Sequence, residues 1–470
     1  MQGAFVMDQL TTLDAGFLKA EDVDSRVSLA IGGLAVVEGP APQQEALVAA
    51  FGQRIRSCPR FGQRLRLHPL DLGAPEWVDD PDFDIERHVR RAALPQPGDE
   101  RELYALIADV MARRLDRDRP LWEVWVIEGL AEDRWAMLTK LHHCMADGIA
   151  ATHVLAGLCD DGIRGNSFAH HVQKAHASKK GADSANQSRG LLGGLWAASA
   201  ALTAGIIQAA HGAGEIAAGL MNPGGSSLNG PLSDLRRYSG ARVAMSDIEQ
   251  ISKSFDVTVN DVALAAITES YRNVMIERGL KPLRDSLRTL VPVSVRSADA
   301  FETADNRVSL LLPNLPVDEE NPVQRLRTVH DRLNRAKSSG QRQAGNVFVS
   351  LANRVPFALS AWTVGLLMRL PQRGVATVAT NVPGPRLPLR VLGKQIVGLY
   401  PVPPLAMDLR TGVAMLSYAD DLFFGILTDY DVVVDADKLA RGIEAAVARL
   451  VKISERRQNP PRRGPLSLVV

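Results

Sequence analysis

Apolar residues recur along the first part of the chain at two different spacings. Between residues 42 and 56 they are three or four positions apart, which is the spacing of one helical face and predicts a helix. The runs 121–127 and 135–141 are rich in aromatic and β-branched residues and are separated by turn residues, so we expect a hairpin or two adjacent strands. A helical register follows over 149–158. The pattern indicates a mixed α/β region.

A second region of the same character begins after residue 230. Asn260 or Asp261 is expected to cap its first long helix, and Pro292 should make its first strand kinked or edge-like. The order of elements loosely echoes the first region, which indicates two similar α/β (α+β) lobes, each with a mixed sheet flanked by helices. The predicted helices are 260–279, 322–337, 346–370 (kinked or broken at Pro356) and one from 437, and the predicted strands are 288–295, 307–312, 375–381, 413–418 and 422–428.

A change of composition separates the two regions. Residues 165–190 are polar and poor in large apolar side chains, which is typical of a linker. The histidines of this stretch could bind a metal adventitiously, but a solvated loop is the preferred interpretation. We therefore expect an N-terminal lobe over 1–163, a linker over 164–230 and a C-terminal lobe over 231–470.

The linker contains an unusual apolar stretch. Residues 191–214 carry no charged side chain and are long enough to span a bilayer, yet Ala and Gly dominate the stretch. Gln208 and His211 make transfer into lipid less favourable. Three interpretations stay open for this expected helix: it packs on the protein, lies on a membrane surface or spans the membrane.

Composition narrows the classes of function. The 470 residues have a net charge of +1 and are 46% hydrophobic, which is ordinary for a globular protein and gives no general electrostatic reason to bind nucleic acid. The three cysteines match neither a disulfide framework nor a zinc ligand set. The N-terminus lacks the basic and apolar regions of a secretory signal, so we expect a cytoplasmic protein.

The sharpest chemical signal is His142-His143 followed, after three residues, by Asp147-Gly148. A histidine at the end of a strand is well placed to act as a general base near neutral pH. Side chains alternate along a strand, so only one of the pair can face a given channel. Asp147 could fix the turn by capping the following helix or by pairing with a cation, and Gly148 permits a close approach or an unusual dihedral angle.

Other interpretations of the motif stay open. The two histidines could be core residues bonded to backbone groups, and His142, His143 and Asp147 could form a metal site. The alternation of side chains disfavours the metal site, and we expect none. Cys144 could be a nucleophile, but its side chain is just as well explained as buried.

The motif after an apolar strand resembles the signature of the CoA-dependent acyltransferase superfamily. More closely, the chain resembles the bacterial wax ester synthase/acyl-CoA:diacylglycerol acyltransferase family, and this resemblance runs nearly from end to end. The matching segments lie at 10–17, 77–84 with 88–89, 118–123, 142–148, 258–262, 291–296, 306–309 and 380–385. Within them, Pro-Leu-Trp-Glu, Asn-Asp and Asn-Val-Pro-Gly-Pro point to the wax ester/triacylglycerol branch.

The resemblance implies roles for individual residues. His143 would be the base, and His142 would support it with its side chain facing away. Asp147 would be structural, and Arg296 is the candidate for a salt bridge with it across the lobe interface. The remaining implied residues would line the substrate channel or the lobe interface, and these are Asn260, Asp261, Asn381 and Gly384.

The resemblance also implies an activity. Two chloramphenicol-acetyltransferase-like lobes would enclose an active-site channel. Long-chain acyl-CoA, the acyl donor, would enter the channel from one face, and diacylglycerol or a fatty alcohol would enter from the other. No cofactor is expected. Peripheral association with the inner membrane or with lipid bodies is a further expectation. Two alternatives stay open: the same fold could acylate another lipid or a polyketide hydroxyl, or the protein could bind acyl chains without turnover.

Overall fold

The structure, a computed structural model, describes residues 9–56, 58–69, 73–146, 148–160, 228–294, 308–338, 374–432 and 434–458. The stretch 191–214, the predicted helix 346–370, Asp147 and Arg296 lie outside these residues. No helix in the described part of the chain is both long enough and apolar enough to cross a membrane.

The described elements alternate between helices and strands. The helices are α1 (Thr12–Val23), α2 (Gln44–Ile55), α3 (Glu100–Ala112), α4 (Gly148–Leu158), α5 (Met245–Phe255), α6 (Val259–Glu277), α7 (Pro322–Ser338) and α8 (Ala436–Gln458). The strands are β1 (Ala30–Glu38), β2 (Gln63–Arg66), β3 (Glu76–Asp79), β4 (Val89–Ala93), β5 (Trp122–Leu130), β6 (Arg134–His142), β7 (Arg236–Ala244), β8 (Thr289–Ser294), β9 (Val308–Leu311), β10 (Thr377–Val382), β11 (Arg390–Val391), β12 (Lys394–Val402), β13 (Thr411–Tyr418) and β14 (Asp421–Asp429).

Two six-stranded sheets form the two lobes. The first has the order β11-β12-β1-β6-β5-β4, and the second has the order β7-β14-β13-β10-β8-β9. Both sheets are mixed, because β4 runs parallel to β5 in the first and β10 runs parallel to β13 in the second while most other neighbours are antiparallel. The predicted class of two mixed α/β lobes is confirmed.

The hairpin β11–β12 of the second half crosses into the first lobe. β12 pairs with β1 over Gly32↔Val402 to Val37↔Ile396, so residues more than 350 positions apart are neighbours in one sheet. The division at residue 231 stays a prediction, but the structure adds that the hairpin β11–β12 belongs to the first sheet. Among the described residues, two of the three hydrophobic cores accordingly contain residues from both halves of the chain.

Asp160 fastens this crossover hairpin to the first lobe. Its carboxylate accepts the backbone N–H groups of Leu392 (3.1 Å) and Gly393 (2.6 Å) in the β11–β12 turn, and it pairs with Arg54 of α2 at 2.8 Å. Burial would raise the pKa of Asp160, but these donors lower it below its ordinary value. Asp160 lies just beyond α4, so one carboxylate connects the turn of the crossover hairpin to α2 and to the end of α4.

Local signals predicted most elements well. The hairpin β5–β6 and the helices α2, α4, α6, α7 and α8 lie within a few residues of their predicted bounds, apart from the C-terminal end of α8. Asn321 caps α7 as expected, since its Oδ1 accepts the N–H groups of Val323 and Gln324. Pro292 lies in a strand with neighbours on both sides, but the pairing with β10 covers only Thr289 and Leu290. The missing N–H of Pro292 therefore breaks no ladder bond on that side.

Candidate active site

The two histidines lie where β6 ends. His142 is the last residue of the strand, and α4 begins at Gly148 after a short turn. The N–H of His143 donates to the C=O of Leu29 at 3.0 Å, and the N–H of Met145 donates to the C=O of His142 at 2.9 Å. These bonds hold the turn against the residues that precede β1. The backbone position of His143 is thus set by both the turn and the neighbouring chain.

His142 is buried, with only 1% of its surface exposed. Its Nδ1 lies 3.1 Å from the N–H of Cys144 and accepts that hydrogen bond, which assigns the ring proton to Nε2. Nε2 in turn lies 3.4 Å from Oε1 of Glu21, a contact that is electrostatic rather than a well-formed hydrogen bond. His142 therefore supports the turn and faces away from solvent, as the alternation of side chains predicts.

Glu21 is a functional candidate that sequence reasoning missed. It is 2% exposed, accepts the N–H of Leu29 at 2.8 Å through Oε1 and pairs with Arg117 at 3.0 Å through Oε2. Burial would raise the pKa of Glu21, but the contacts with His142, Leu29 and Arg117 lower it to about 2. The carboxylate is therefore ionised and lies beneath the histidine turn.

His143 is half-buried and stacks on an aromatic ring of the same helix that carries Glu21. The rings of Phe17 and His143 have centroids 4.2 Å apart and an interplanar angle of 28°. Phe17 and Glu21 are four residues apart on α1 and so lie on one face of the helix. A single helical face thus contacts His143 through one residue and His142 through the other. No local signal in the sequence marks Glu21, because its partner His142 lies 121 positions further along the chain.

Cys144 shows the features of a buried thiol rather than a nucleophile. It is 8% exposed, and burial raises its pKa well above the ordinary value, which disfavours the thiolate that nucleophilic attack requires. In the parts of the chain that the structure describes, no group of three or more His, Cys, Asp or Glu side chains is arranged to hold a metal ion.

In the second lobe, Asp261 lies beneath the start of α6. Its Oδ2 accepts the N–H of Thr258 at 2.8 Å and lies 2.7 Å from Nδ1 of His330 on α7. Asp261 is 1% exposed, so it holds the shape of this region rather than facing solvent. The prediction that Asn260 or Asp261 caps α6 is wrong: Thr258 is the cap, and Asp261 completes a capping box from the third helical position.

The motif of the first lobe and the Asn-Val-Pro-Gly-Pro segment of the second lobe are in contact. A Cβ on Gly148 would lie 2.9 Å from Cγ2 of Val382, so only glycine lets the start of α4 approach β10 this closely. Beside this contact, Nδ2 of Asn381 donates to Oδ1 of Asn260 at 3.4 Å. These contacts place the beginning of α4, the end of β10 and the beginning of α6 at one junction between the lobes.

Gly384 is required by a second close approach. A Cβ on this residue would lie 2.1 Å from the carbonyl oxygen of Ser417, a backbone atom that has no room to yield. The N–H of Gly384 also donates to Oγ of Ser417 at 3.1 Å. Gly384 therefore fixes the segment after β10 against β13. Asp147 and Arg296 lie outside the described residues, so the salt bridge between them stays a prediction.

Two mixed-sheet lobes joined by a crossover hairpin, with a half-buried histidine in the turn that leads to their junction, form the arrangement expected of a two-lobed acyltransferase of the CoA-dependent type. Residues 10–263 match the model of the wax ester synthase/diacylglycerol acyltransferase catalytic domain, and residues 304–450 match the model of the C-terminal domain of the same proteins. The chain belongs to the wax ester synthase/diacylglycerol acyltransferase family, and it is an acyltransferase.

Named relatives and solved structures agree with this assignment. "Probable diacylglycerol O-acyltransferase tgs1" of Mycobacterium tuberculosis is 68% identical over 469 residues, which cover 99% of this chain and 100% of the relative. The wax ester synthase/diacylglycerol acyltransferase of Marinobacter aquaeolei VT8 is 25% identical, covers 95% of this chain and 100% of its own, and superposes with a TM-score of 0.65. A starter condensation domain of rhizomide synthetase, solved with C8-CoA, is 14% identical, covers 96% of this chain and 94% of its own, and shares the fold with a TM-score of 0.57.

Proposed function

We propose that this protein transfers a long-chain acyl group from acyl-CoA to the free hydroxyl of diacylglycerol and so makes triacylglycerol. The observation that carries the proposal is the 68% identity, over essentially the whole of both chains, to a relative named as a diacylglycerol O-acyltransferase. The C8-CoA bound by a protein of the same fold supports acyl-CoA as the donor. Fatty alcohols, which would give wax esters, are the second acceptor class, because the Marinobacter protein of the same family is named a wax ester synthase as well.

In the proposed mechanism His143 is the general base. Its imidazole takes the proton of the acceptor hydroxyl, and the hydroxyl oxygen attacks the thioester carbonyl to form a tetrahedral intermediate. The C–S bond then breaks, the imidazolium returns the proton to the CoA thiolate, and the products are the ester and free CoA. The half-exposed position of His143 at a turn fixed by backbone hydrogen bonds supports this role. The buried thiol of Cys144 fits a direct transfer without an acyl-enzyme.

The His143→Ala variant tests the mechanism. A positioned base contributes about 10²–10⁴-fold to the rate, so we expect release of CoA thiol in the presence of diacylglycerol to fall by about that factor while the circular dichroism spectrum is unchanged. His68→Ala is the matched control, because His68 is also partly exposed but pairs with Glu76 and is not part of the histidine motif. Undiminished release by His143→Ala would exclude His143 as the base.

An acceptor screen separates the possible substrates. Diacylglycerol, hexadecanol and a crude lipid extract are each offered with labelled palmitoyl-CoA, and the products are resolved by thin-layer chromatography. Triacylglycerol as the main product supports the proposal. A labelled glycolipid or polyketide ester instead would assign another hydroxyl to the same fold, and binding of acyl-CoA without thiol release would indicate a non-catalytic member.

The substrates also suggest where the protein works. Diacylglycerol is a membrane lipid and acyl-CoA is a cytoplasmic metabolite, so we propose that the protein is cytoplasmic and acts at the surface of the inner membrane or of lipid bodies. Fractionation of cells into cytosol, membrane and lipid bodies, followed by immunoblotting, tests this location.

A further inference from the structure

We propose that the loop at Pro385–Leu389 docks the protein on an anionic lipid surface, with Leu387 inserted among the acyl chains and Arg386 and Arg390 at the lipid phosphates. This inference rests on the proposed function only in that a membrane lipid is the acceptor. The loop Pro385–Leu389 is the surface that would bring the site to that lipid.

The loop is held at both ends and projects between them. The C=O of Pro385 accepts the N–H of Ala419 at 3.0 Å, and the N–H of Leu389 donates to the hydroxyl of Tyr418 at 2.8 Å. The side chain of Leu389 is buried, whereas Arg386, Leu387 and Pro388 are exposed. The backbone φ of each proline is fixed by its ring. The tip is therefore a short, anchored projection rather than a loose strand end.

Leu387 at the tip is the most exposed large apolar side chain in the described residues, at 78%. A scattered exposed leucine needs no explanation by itself. Here, however, the anchored backbone keeps the side chain from folding back onto the protein, so its apolar surface stays in water until something covers it. A lipid interface offers apolar chains directly beneath a polar layer, which suits a leucine flanked by cations.

Acidic residues are missing from the part of the sequence that carries this loop, so its net charge is positive. The 76 residues from Arg332 to Met407 contain ten lysines and arginines and no aspartate or glutamate, although the net charge of the whole chain is only +1. Arg386 and Arg390 are exposed on either side of Leu387, and no ion pair within the described residues involves them. The charge is complementary to an anionic surface.

The loop is also close to the candidate site. Val382 contacts the start of α4, and Leu387 lies five residues beyond it, so their Cα atoms are within about 18 Å even for a fully extended chain. Docking through Leu387 would hold the lobe junction within the reach of a lipid whose glycerol lies at the interface. CoA phosphates could also bind arginines, but they offer no partner for Leu387, which is why a lipid surface is the better occupant.

Vesicle binding by the full-length protein tests the proposal without turnover. Co-sedimentation is measured with vesicles of phosphatidylcholine alone and of phosphatidylcholine and phosphatidylglycerol in equal parts. An arginine near an anionic surface contributes about fivefold, so the double variant Arg386→Gln/Arg390→Gln should bind the anionic vesicles about thirtyfold more weakly. Leu387→Gln should weaken binding about tenfold to each kind of vesicle that the wild type binds.

Matched controls lie in the loop that follows α6. Leu283 is 56% exposed and Arg284 is exposed beside it, so Leu283→Gln and Arg284→Gln remove the same kinds of side chain elsewhere and should leave binding within about twofold of the wild type. Equal losses in the loop variants and the controls, or no binding by the wild type, would overturn the proposal. The proposal would also be overturned if Arg386→Gln/Arg390→Gln bound vesicles like the wild type but had a raised KM for acyl-CoA with detergent-dispersed substrate. That result would assign the arginines to CoA binding. Vesicle binding by a wild type that makes no ester would instead reject the proposed function and leave the docking surface intact.

Discussion

Replacing Glu21 with glutamine removes a buried negative charge that three groups stabilise. The carboxylate contacts the N–H of Leu29 and the side chains of Arg117 and His142, and together these lower its pKa from 4.5 to about 2. That change corresponds to about 3 kcal/mol of extra stability for the ionised form in the folded protein. We therefore expect the free energy of unfolding of the Glu21→Gln variant to be about 3 kcal/mol lower than that of the wild type at pH 7.

The stability difference between the wild type and Glu21→Gln depends on pH. A group whose folded-state pKa is depressed stabilises the protein fully above its unfolded pKa and loses that contribution as the pH falls through the folded pKa. The difference between wild type and Glu21→Gln should be constant from pH 7 to about 5 and should close between about pH 4.5 and 2. Urea unfolding followed by the fluorescence of the buried Trp122 and Trp135 measures it.

Asp22→Asn is the matched control. Asp22 also pairs with Arg117, at 2.6 Å, but its side chain is 44% exposed, and exposed ion pairs contribute only about 0–1 kcal/mol. A loss below about 1 kcal/mol in Glu21→Gln at pH 7, or a loss that persists at pH 2, would refute the reasoning. If His143 is the base, kcat should also fall in Glu21→Gln, by up to about 10²-fold, because a shift of about 1 Å at the reacting group has that effect.

Three further predictions follow from individual contacts. Gly384→Ala should destabilise the protein by about 1–3 kcal/mol or more, measured as a lower urea midpoint, because its Cβ would meet the carbonyl oxygen of Ser417 at 2.1 Å; a wild-type midpoint would show that the segment is not held there. Asp160→Asn should cost about 1–3 kcal/mol in the same assay, since it removes the charge shared by Arg54 and the turn of the crossover hairpin, and an unchanged midpoint would contradict that role. Cys144 should resist DTNB in the folded protein and react in urea, as mass spectrometry of the labelled peptides would show, because burial raises its pKa and covers the sulfur; rapid labelling under native conditions would contradict this.

The sequence predicted the elements whose patterns are local. The hairpin β5–β6 and the helix α6 were predicted because aromatic runs and helical spacing are visible within a window of about ten to twenty residues. β1 was not predicted, although it lies between β12 and β6 in the middle of the first sheet. Its run of apolar residues and glycines shows no clean alternation, because a central strand is covered on both faces.

The candidate site was likewise predicted in part from the sequence. The spacing of His142, His143 and Gly148 pointed to the turn at the end of β6, and the structure places that turn beside Val382 at the lobe junction. The sequence pattern did not predict which residues these side chains contact. Glu21 precedes His142 by 121 positions, and nothing in the local composition of α1 states which strand it packs against.

The sequence by itself therefore determined the family, the position of the histidine motif and those helices and strands whose patterns are local. Those properties depend on side chains close together along the chain and on motifs of fixed spacing. Tertiary structure alone decided that β12 completes the first sheet, that Glu21 lies ionised beneath His142 and that Gly148 contacts Val382. The physical reason is that pairing register, burial and protonation depend on neighbours brought together by packing the whole chain, and each of these contacts joins residues more than a hundred positions apart.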